Sequence, residues 1–433
     1  MTKKETTVVE PVETSIEIEA PYELPEGWKW VRLGEVCTIP ITDGTHKTPE
    51  YTDSEHGIPF VSSKDVTKGF IDWSEIKYIT KDLHAELYAR LAPQINDILL
   101  AKNGTTGIAA IVDCDKVFDI YVTLALLRPD TNKILPLYLL NIINSPICKN
   151  QFDEHLTGIG VPNLHLRDIK VIQIPLPPTL AEQQRIVNRI ENMFEKLDEA
   201  KEKARNVADS FETRKATILH QAFTGSLTAK WRKENGVSDD SWEEKTIGEL
   251  FSHTTGKALK KDNQNGTTHK YITTSNLYWG KFDFSEVRTM CFTDEELEKC
   301  TAKKGDLLLC NGGDVGRAAI WNFDYDICLQ NHVSKLRKKT DNIEIRLFYY
   351  YFMFSKIKGN INGKGIGISS LSAKDLLAMK INLPTLTEQQ EIVRILDTVL
   401  EKERAAKSAA EQVLEQIALL KKSILARAFR GEL

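Results

Sequence analysis

An α+β protein built twice, with two globular units each followed by a long helix, is the architecture that the 433-residue chain implies, and three observations lead to it. A charged, heptad-patterned segment from Glu182 to Leu227 recurs from Glu388 to Leu433 without insertion. The stretches ahead of the two copies share a series of strand-and-turn strings. Those strings mix strands and helices without regular strand–helix–strand alternation, which favours α+β over a parallel doubly wound sheet.

Both helical copies open on Glu-Gln-Gln (Glu182, Gln183, Gln184; Glu388, Gln389, Gln390) and close on ILHQAFTGSL from Ile218 and ILARAFRGEL from Ile424, at a constant offset of 206. A fixed length is what a helix with a fixed packing partner requires and a loop does not. In the first copy Ile186, Ile190, Met193, Leu197, Ala200, Ala204, Val207 and Phe211 step alternately by four and three, the seam of a coiled coil. The equivalents Ile392, Leu396, Val399, Glu403, Ala406, Ala410, Val413 and Ile417, extended by Leu420 and Ile424, continue the pattern. Only Glu403 breaks the row, as a register-fixing residue would. Neither seam can stay wet, so the helices are expected to pack on each other within one molecule. They should run antiparallel, because a globular unit intervenes, with Ala200/Ala204 and Ala406/Ala410 at a close mid-helix approach. The plainer alternative packs each helix on its own unit only; a seam held over six or more steps in both copies argues against it. Thr179 to Phe223, taken as one unbroken helix, would span about 68 Å.

The length suits two or three domains. Residues 1–20 read as a disordered acidic tail, 21–178 as the first unit, 179–227 as the central long helix, 228–241 as a linker, 242–384 as the second unit and 385–433 as the final helix. The longest apolar run, Leu347 to Phe354, is 8 residues, far short of a membrane span. The first 20 residues lack the apolar core of a secretory signal. Seven cysteines without a CxxC pair suit reduced thiols in a cytoplasm. The formal net charge of −4 includes −5 over residues 21–178 and +2 over 236–386. A free-standing DNA binder would show a stronger positive field, so any grip on nucleic acid would come mostly from a partner.

Within the units, LPEGWKWVRLGEVC from Leu24 answers SDDSWEEKTIGELF from Ser238, with Trp28 and Trp242 each six residues before a glycine. IPFVSSKDVTKGFID from Ile58 answers HKYITTSNLYWGKFD from His269, each a strand, a polar loop and a Gly turn. DILLAKNGTTGIAAI from Asp97 answers DLLLCNGGDVGRAAI from Asp306, each a buried strand, a Gly-rich turn and a second strand. Helical stretches follow at 136–147 and 345–354. GIGVPNLHLRDI from Gly158 and GIGISSLSAKDL from Gly365 then lead through a short strand to a proline-bearing exit. The offset drifts from 214 to 207, so loops differ on a persistent framework, which points to two related binding jobs with different targets.

Enzyme signatures fail on spacing. Gly363-x-Gly365-x-Gly367 breaks the dinucleotide fingerprint at its third glycine, and with Gly158-x-Gly160 it reads as a turn. Gly256-Lys257 and Gly363-Lys364 lack the rest of a phosphate loop. Pro129-Asp130 with Lys133 has Thr131 where a nuclease needs its second carboxylate. Pro177-Pro178 lacks the residues with which an amino-methyltransferase holds a flipped base. Asp113/Asp115 has no matching histidine or metal cluster. The expectation is that the chain holds no catalytic centre and no metal.

The ILxxAFxGxL ending, the LPTLxEQQxIV helix start, the W-x5-G-E opening and TDGTHKTPEY (Thr42 to Tyr51) resemble the specificity subunit of type I restriction-modification systems, over nearly all of Leu24 to Leu433. The resemblance implies two target recognition domains, each reading one half of a split double-stranded DNA site, joined by antiparallel long helices in an internal pseudo-twofold repeat. It also implies a non-catalytic, cytoplasmic, prokaryotic subunit that binds no cofactor itself. Its partners would be two modification subunits, which use S-adenosylmethionine to methylate adenine N6, and restriction subunits that cut DNA with ATP and Mg²⁺. No membrane is involved.

The expected DNA-binding positions in the first unit are Thr45, His46, Lys47 and Thr48; Ser62, Ser63 and Lys64; and Lys102, Asn103, Gly104 and Thr105. In the second they are Lys257, Lys260 and Lys261; Thr273, Thr274, Ser275 and Asn276; and Asn311. All are polar loop positions able to reach phosphates or base edges, and the plain alternative for each is a solvated turn residue. The second unit lacks TDGTHKTP and has SSL where the first has PNL. Its half-site should therefore differ, giving an asymmetric target with half-sites about one helical turn apart on one DNA face. The rival reading is a coiled-coil scaffold that joins proteins without DNA specificity.

Overall fold

A computed structural model describes residues 21–157, 162–259, 265–361 and 370–433. The expected tail at 1–20, Lys260 and Lys261, and the glycine strings at 158–161 and 362–369 lie outside the described residues. The chain divides into two compact units, one running to Lys203 and including Val413–Leu433, the other Ala204–Gln412. Each unit is a mixed α+β head with two segments of long helix.

In the first unit, Lys29–Arg32 pairs antiparallel with Gln173–Leu176, closing the head on itself. One antiparallel sheet runs in the order Thr42–Asp43, Leu124–Leu127, Ile98–Ala101, Ala109–Ile111. Every residue of Ile98–Ala101 and of Leu124–Leu127 is buried, which is why both read as unbroken apolar runs. A second sheet runs Tyr51–Thr52, Lys77–Ile79, Ile58–Val61, Asp119–Ile120, and its last pairing is parallel, with Phe60 opposite Asp119. The first predicted helical stretch is two helices, Pro136–Ile143 and Pro146–Glu154, because a second proline after Ser145 restarts the chain.

The second unit repeats this plan in register. Glu243–Thr246 closes on Lys380–Leu383. Leu307 stands opposite Ile320 and Leu336, as Ile98 stands opposite Ile111 and Leu127. Tyr271 pairs parallel with Cys328, as Phe60 does with Asp119. A buried carboxylate at the foot of the central strand binds a bidentate guanidinium in both: Asp97 with Arg128 at 2.8 Å, Asp306 with Arg337 at 2.7 Å. The units differ at their edges: Tyr51–Thr52 borders one sheet, whereas Thr301–Ala302 borders the other on the opposite side. The second also carries a short hairpin, Leu277–Tyr278 with Lys281–Phe282.

The repeated strings now have physical reasons. Gln183 and Gln389 are both 1% exposed. Gln183 accepts from Leu135 N at 2.8 Å and donates to Lys133 O at 2.9 Å; Gln389 accepts from Glu344 N at 2.9 Å and donates to Asn342 O at 3.2 Å. Each helix start is thereby clasped to the loop before the head's own helix. Leu219 and Ala222, like Leu425 and Ala428, sit in the head cores. The glycine that follows each AF pair, Gly225 or Gly431, takes φ near +80°, the left-handed turn that ends the helix.

The long helices pack on each other and on the heads. In the first unit Lys421 binds Asp198 at 2.6 Å and Arg185 donates to Leu433 O at 2.9 Å; in the second Arg214 binds Glu403 and Arg232 binds Glu388, at 2.6 and 2.7 Å. Rising numbers meet falling ones in both, so the segments run antiparallel. Ile186, Ile190, Ala204, Phe211, Ile392, Leu396, Ala410 and Ile417 are buried, and Met193, Leu197, Ala200 and Val399 are half-buried.

Two expectations need correction. Ala406 and Val413 are on the outside, with Val207 and Leu420. Beyond Glu403 the seam passes through Lys407, Leu414 and Lys421 between the shared positions Ala410, Ile417 and Ile424. The lysine stems lie inward, with ammonium groups 5.1 Å from the Phe211 ring centre and 4.8 Å from that of Phe194, so a polar residue type hides a buried stem. The first long helix is also not one rod: Leu180–Asp209 and Phe211–Phe223 meet at Ser210. Its hydroxyl donates to the carbonyls of Asn206 and Val207, the back-bonding that bends helices. Among the described residues no helix is long and apolar enough to cross a membrane.

Candidate nucleic-acid interface

In each unit, one crossing organises the predicted loops. Gly44 comes so close to the neighbouring strand that a Cβ would sit 1.9 Å from Ile120 O, and Gly256 meets Leu329 O at the same distance. Only glycine permits this approach. The next residue is then zipped to the turn beyond that strand: Thr45 N donates to Ile120 O and Val122 N to Thr45 O, while Lys257 N donates to Leu329 O and Asn331 N to Lys257 O. Thr255-Gly256-Lys257 is thus the structural counterpart of Asp43-Gly44-Thr45, despite the loss of TDGTHKTP.

The other segments meet the same turn. Ser63 N donates to Thr123 Oγ1 at 3.0 Å, and Lys102 N to Thr123 O at 2.9 Å. Lys102 O accepts from Leu164 N and Gly104 N donates to Pro162 O, so Asn103–Thr105 lies along Pro162–Asn163. In the second unit Asn311 N donates to His332 O, and Asn311 O accepts from Leu371 N. The structure therefore brings Thr45–Thr48, Ser62–Lys64 and Lys102–Thr105 together around Tyr121–Thr123. It sets Lys257 and Asn311 around Gln330–His332, with Thr273 leading off the neighbouring strand as Ser62 does. The two turns went unnoticed in sequence. They lie directly before the strands that begin at Leu124 and Val333, in a stretch where the two copies share too little sequence to be aligned by eye.

Side chains divide into framework and free groups. Lys102 lies 3.2 Å from Asp43 with both side chains under a tenth exposed, a buried ion pair. Asp43 also meets His46 Nε2 at 3.3 Å, and its carbonyl accepts from Arg90. Thr45 is buried and its hydroxyl accepts from Lys47 N. Lys257, only 9% exposed, binds Glu296 at 2.5 Å and Cys291 O at 2.9 Å, facing away from the loop tips. Asp65 caps Ser62, and Asn276 likewise caps Thr273 while donating to Asp283 O and Glu286 O; both are 4% exposed. Asn311 donates to Asn331 O and Ser334 Oγ. Ser62, Ser63, Asn103, Thr273 and Thr274 are half-buried.

Exposed are His46, Lys47, Thr48, Lys64, Gly104 and Thr105 in the first unit, and Ser275 and His332 in the second. Lys47 meets Glu86 at 2.8 Å and Lys64 donates to Glu75 O at 3.0 Å, both at the surface. Behind the first turn, burial pushes the Asp119 carboxyl up, against the pull of His84 Nδ1 at 2.7 Å. The arrangement offers hydroxyls, an imidazole and flexible ammonium groups on a rigid crossing, the equipment for hydrogen bonds to base edges and phosphates.

Two heads of one plan, each ending in the same helix pair, define a duplicated recognition architecture. The chain belongs to the family of the type I restriction modification DNA specificity domain, whose model matches residues 25–207 and again 239–416. It is 23% identical to the type I restriction enzyme EcoKI specificity subunit of Escherichia coli K12, over 95% of this chain and 90% of that one. It is 24% identical to the putative type I restriction enzyme MjaX specificity subunit of Methanocaldococcus jannaschii, over 91% and 92%. The HsdS subunit from Thermoanaerobacter tengcongensis shares the fold with a TM-score of 0.65 at 24% identity, over 96% of this chain and 100% of that one. A chain from a type I R-M system, solved to explain complex assembly and conformational transition, does so with a TM-score of 0.69 at 23% identity, over 95% and 100%.

Proposed function

We propose that the chain is the sequence-reading subunit of a type I restriction-modification complex, with each head reading one half of a bipartite, asymmetric DNA target. The observation that carries this reading is the repeated crossing itself. The same backbone hydrogen bonds recur in both heads, while the turn they hold is Tyr121-Val122-Thr123 in one and Gln330-Asn331-His332 in the other. A conserved mount with exchanged tips is what two different half-sites require.

The subunit performs no chemistry itself. Two modification subunits dock on it and supply S-adenosylmethionine and adenine N6 methylation; restriction subunits supply the ATP- and Mg²⁺-dependent cleavage, all in a prokaryotic cytoplasm. The exposed loop groups position on phosphates and read base edges, and Lys102, Lys257 and Asn276 hold the loops in place. The helix pair fixes the distance between half-sites.

The test is selection from random-sequence duplex DNA by the chain co-expressed with the modification subunit of its own system. One split sequence with a fixed gap should be enriched. Retention without sequence preference would favour a protein scaffold, and methyl transfer by the isolated chain would contradict the non-catalytic role.

A further inference from the structure

We infer that a basic groove in the second unit grips the sugar-phosphate backbone beside the half-site that unit reads. This rests on the DNA-reading function above and adds to it a sequence-independent contact.

The groove lies between helix Ile345–Ile357, the hairpin Leu277–Phe282 and the long-helix segments, and encloses about 760 Å³. Lys215, Lys281, Arg346, Arg404 and Lys407 line it, against the single carboxylate of Glu411. Arg346 is held by Asp397 at 2.6 Å and Lys215 by Glu212 at 3.2 Å, while Lys407 stands 3.9 Å from Glu411. Lys281 and Arg404 make no ion pair among the described residues, and Arg404 shares the groove wall with Tyr349. Trp279 and Tyr349, edge to face at 6.1 Å, form an apolar wall behind these cations. Positive charge over such a wall attracts a polyanion.

The groove is continuous with the candidate reading face. Thr273–Asn276 runs straight into the hairpin, and Arg317 bridges the two, donating to Thr274 O at 2.8 Å while its guanidinium sits 4.9 Å from the Tyr278 ring centre. A backbone lying on Ser275 is thereby led towards Lys281.

The first unit has a smaller groove against its own helix Pro136–Ile143, lined on the long helix by Asn188–Glu195, ahead of Asp198 and Lys201, the repeat partners of Arg404 and Lys407, and enclosing about 620 Å³. Leu137 and Leu140 stand where Arg346 and Tyr349 do, and the lining includes Glu191, Glu195 and Phe194 but no lysine or arginine.

The experiment uses the full chain co-purified with its modification subunit, titrated onto target duplex and onto random-sequence duplex across a series of salt concentrations. Lys281→Gln/Arg404→Gln/Lys407→Gln should lower the slope of log affinity against log salt by about 0.9 for each phosphate no longer neutralised, about 2 to 3 in all, on both duplexes alike. The sequence preferred should not change. Lys281→Arg/Arg404→Lys/Lys407→Arg should keep the native slope, which separates charge from folding. Glu191→Gln/Glu195→Gln should keep it too. An unaltered slope in the glutamine variant overturns the proposal, and so does loss of the modification subunit from that variant, which would assign the groove to protein docking. Absence of sequence preference in the native complex would count against the reading function alone, since the slope on random duplex still judges the groove.

Discussion

Glu182 and Glu388 hold the same place in the repeat and occupy opposite environments. Glu388 is fully buried and accepts from Thr228 Oγ1 at 2.6 Å, Arg232 Nη1 at 2.7 Å and Trp242 Nε1 at 3.0 Å. Glu182 pairs with Arg185 at the surface, three residues along its own helix. Replacing Glu388 with Ala leaves the Arg232 guanidinium, only 8% exposed, with the exposed Asp239 as its sole carboxylate and should cost about 3 kcal/mol. Glu182→Ala should cost less than about 1 kcal/mol. The displacement of the denaturant midpoint checks both. A second residue-level effect is pH-dependent. His253, half-buried with Nε2 3.0 Å from Ser334 Oγ, is held below the ordinary imidazole value of 6.5 by burial. Its contribution is therefore complete above 6.5 and is lost as the pH falls from there through the lowered folded value, because the unfolded chain takes up the proton first. His253→Gln should flatten part of that acid-side loss of stability in a pH series of unfolding curves. Residue type alone was a partial guide to the interface. Polarity and loop position picked out segments that the fold gathers around one turn in each unit, yet Lys257 and Lys47 look alike in sequence. Only the tertiary approach of Glu296 and Cys291 O turns one of them inward.

At the scale of the element, the helix pair was the most legible part of the chain. Duplication, constant length and heptad stepping gave the partner and the direction, because those follow from a period that water exclusion imposes. The phase beyond Glu403 was not legible: alanine and valine at 406 and 413 outscore the lysines at 407 and 421 until the rings of Phe211 and Phe194 are seen beneath them. The corrected phase predicts that Ala406→Lys changes stability by less than about 0.5 kcal/mol, as an exposed helix substitution does. Ala410→Lys, at a position 7% exposed, should cost about 2 kcal/mol. Thermal melts of the two variants distinguish the phases, and the reverse order would restore the apolar row. The break at Ser210 was hidden for a different reason, since a single serine within a strong periodic pattern interrupts the helix without interrupting the period.

For the molecule as a whole, the sequence carried the plan through its own repetition. Paired strings such as DILLAKNGTTGIAAI and DLLLCNGGDVGRAAI fold into the same strands in the same register, with Asp97/Arg128 and Asp306/Arg337 pinned alike. What repetition could not reveal was the turn at the centre of each crossing, where the copies differ. Head and reading tip thus travel together within one contiguous stretch, so specificity should be exchangeable by halves. The most direct measurement is a genome-wide map of methylated adenines in cells carrying either the native chain or one whose residues 24–175 come from another family member, with the modification subunit unchanged. One half of the methylated sequence should change while the other half and the gap between them stay as they were. A map that remains unaltered, or one in which both halves change, would contradict a chain that reads DNA with two independent heads.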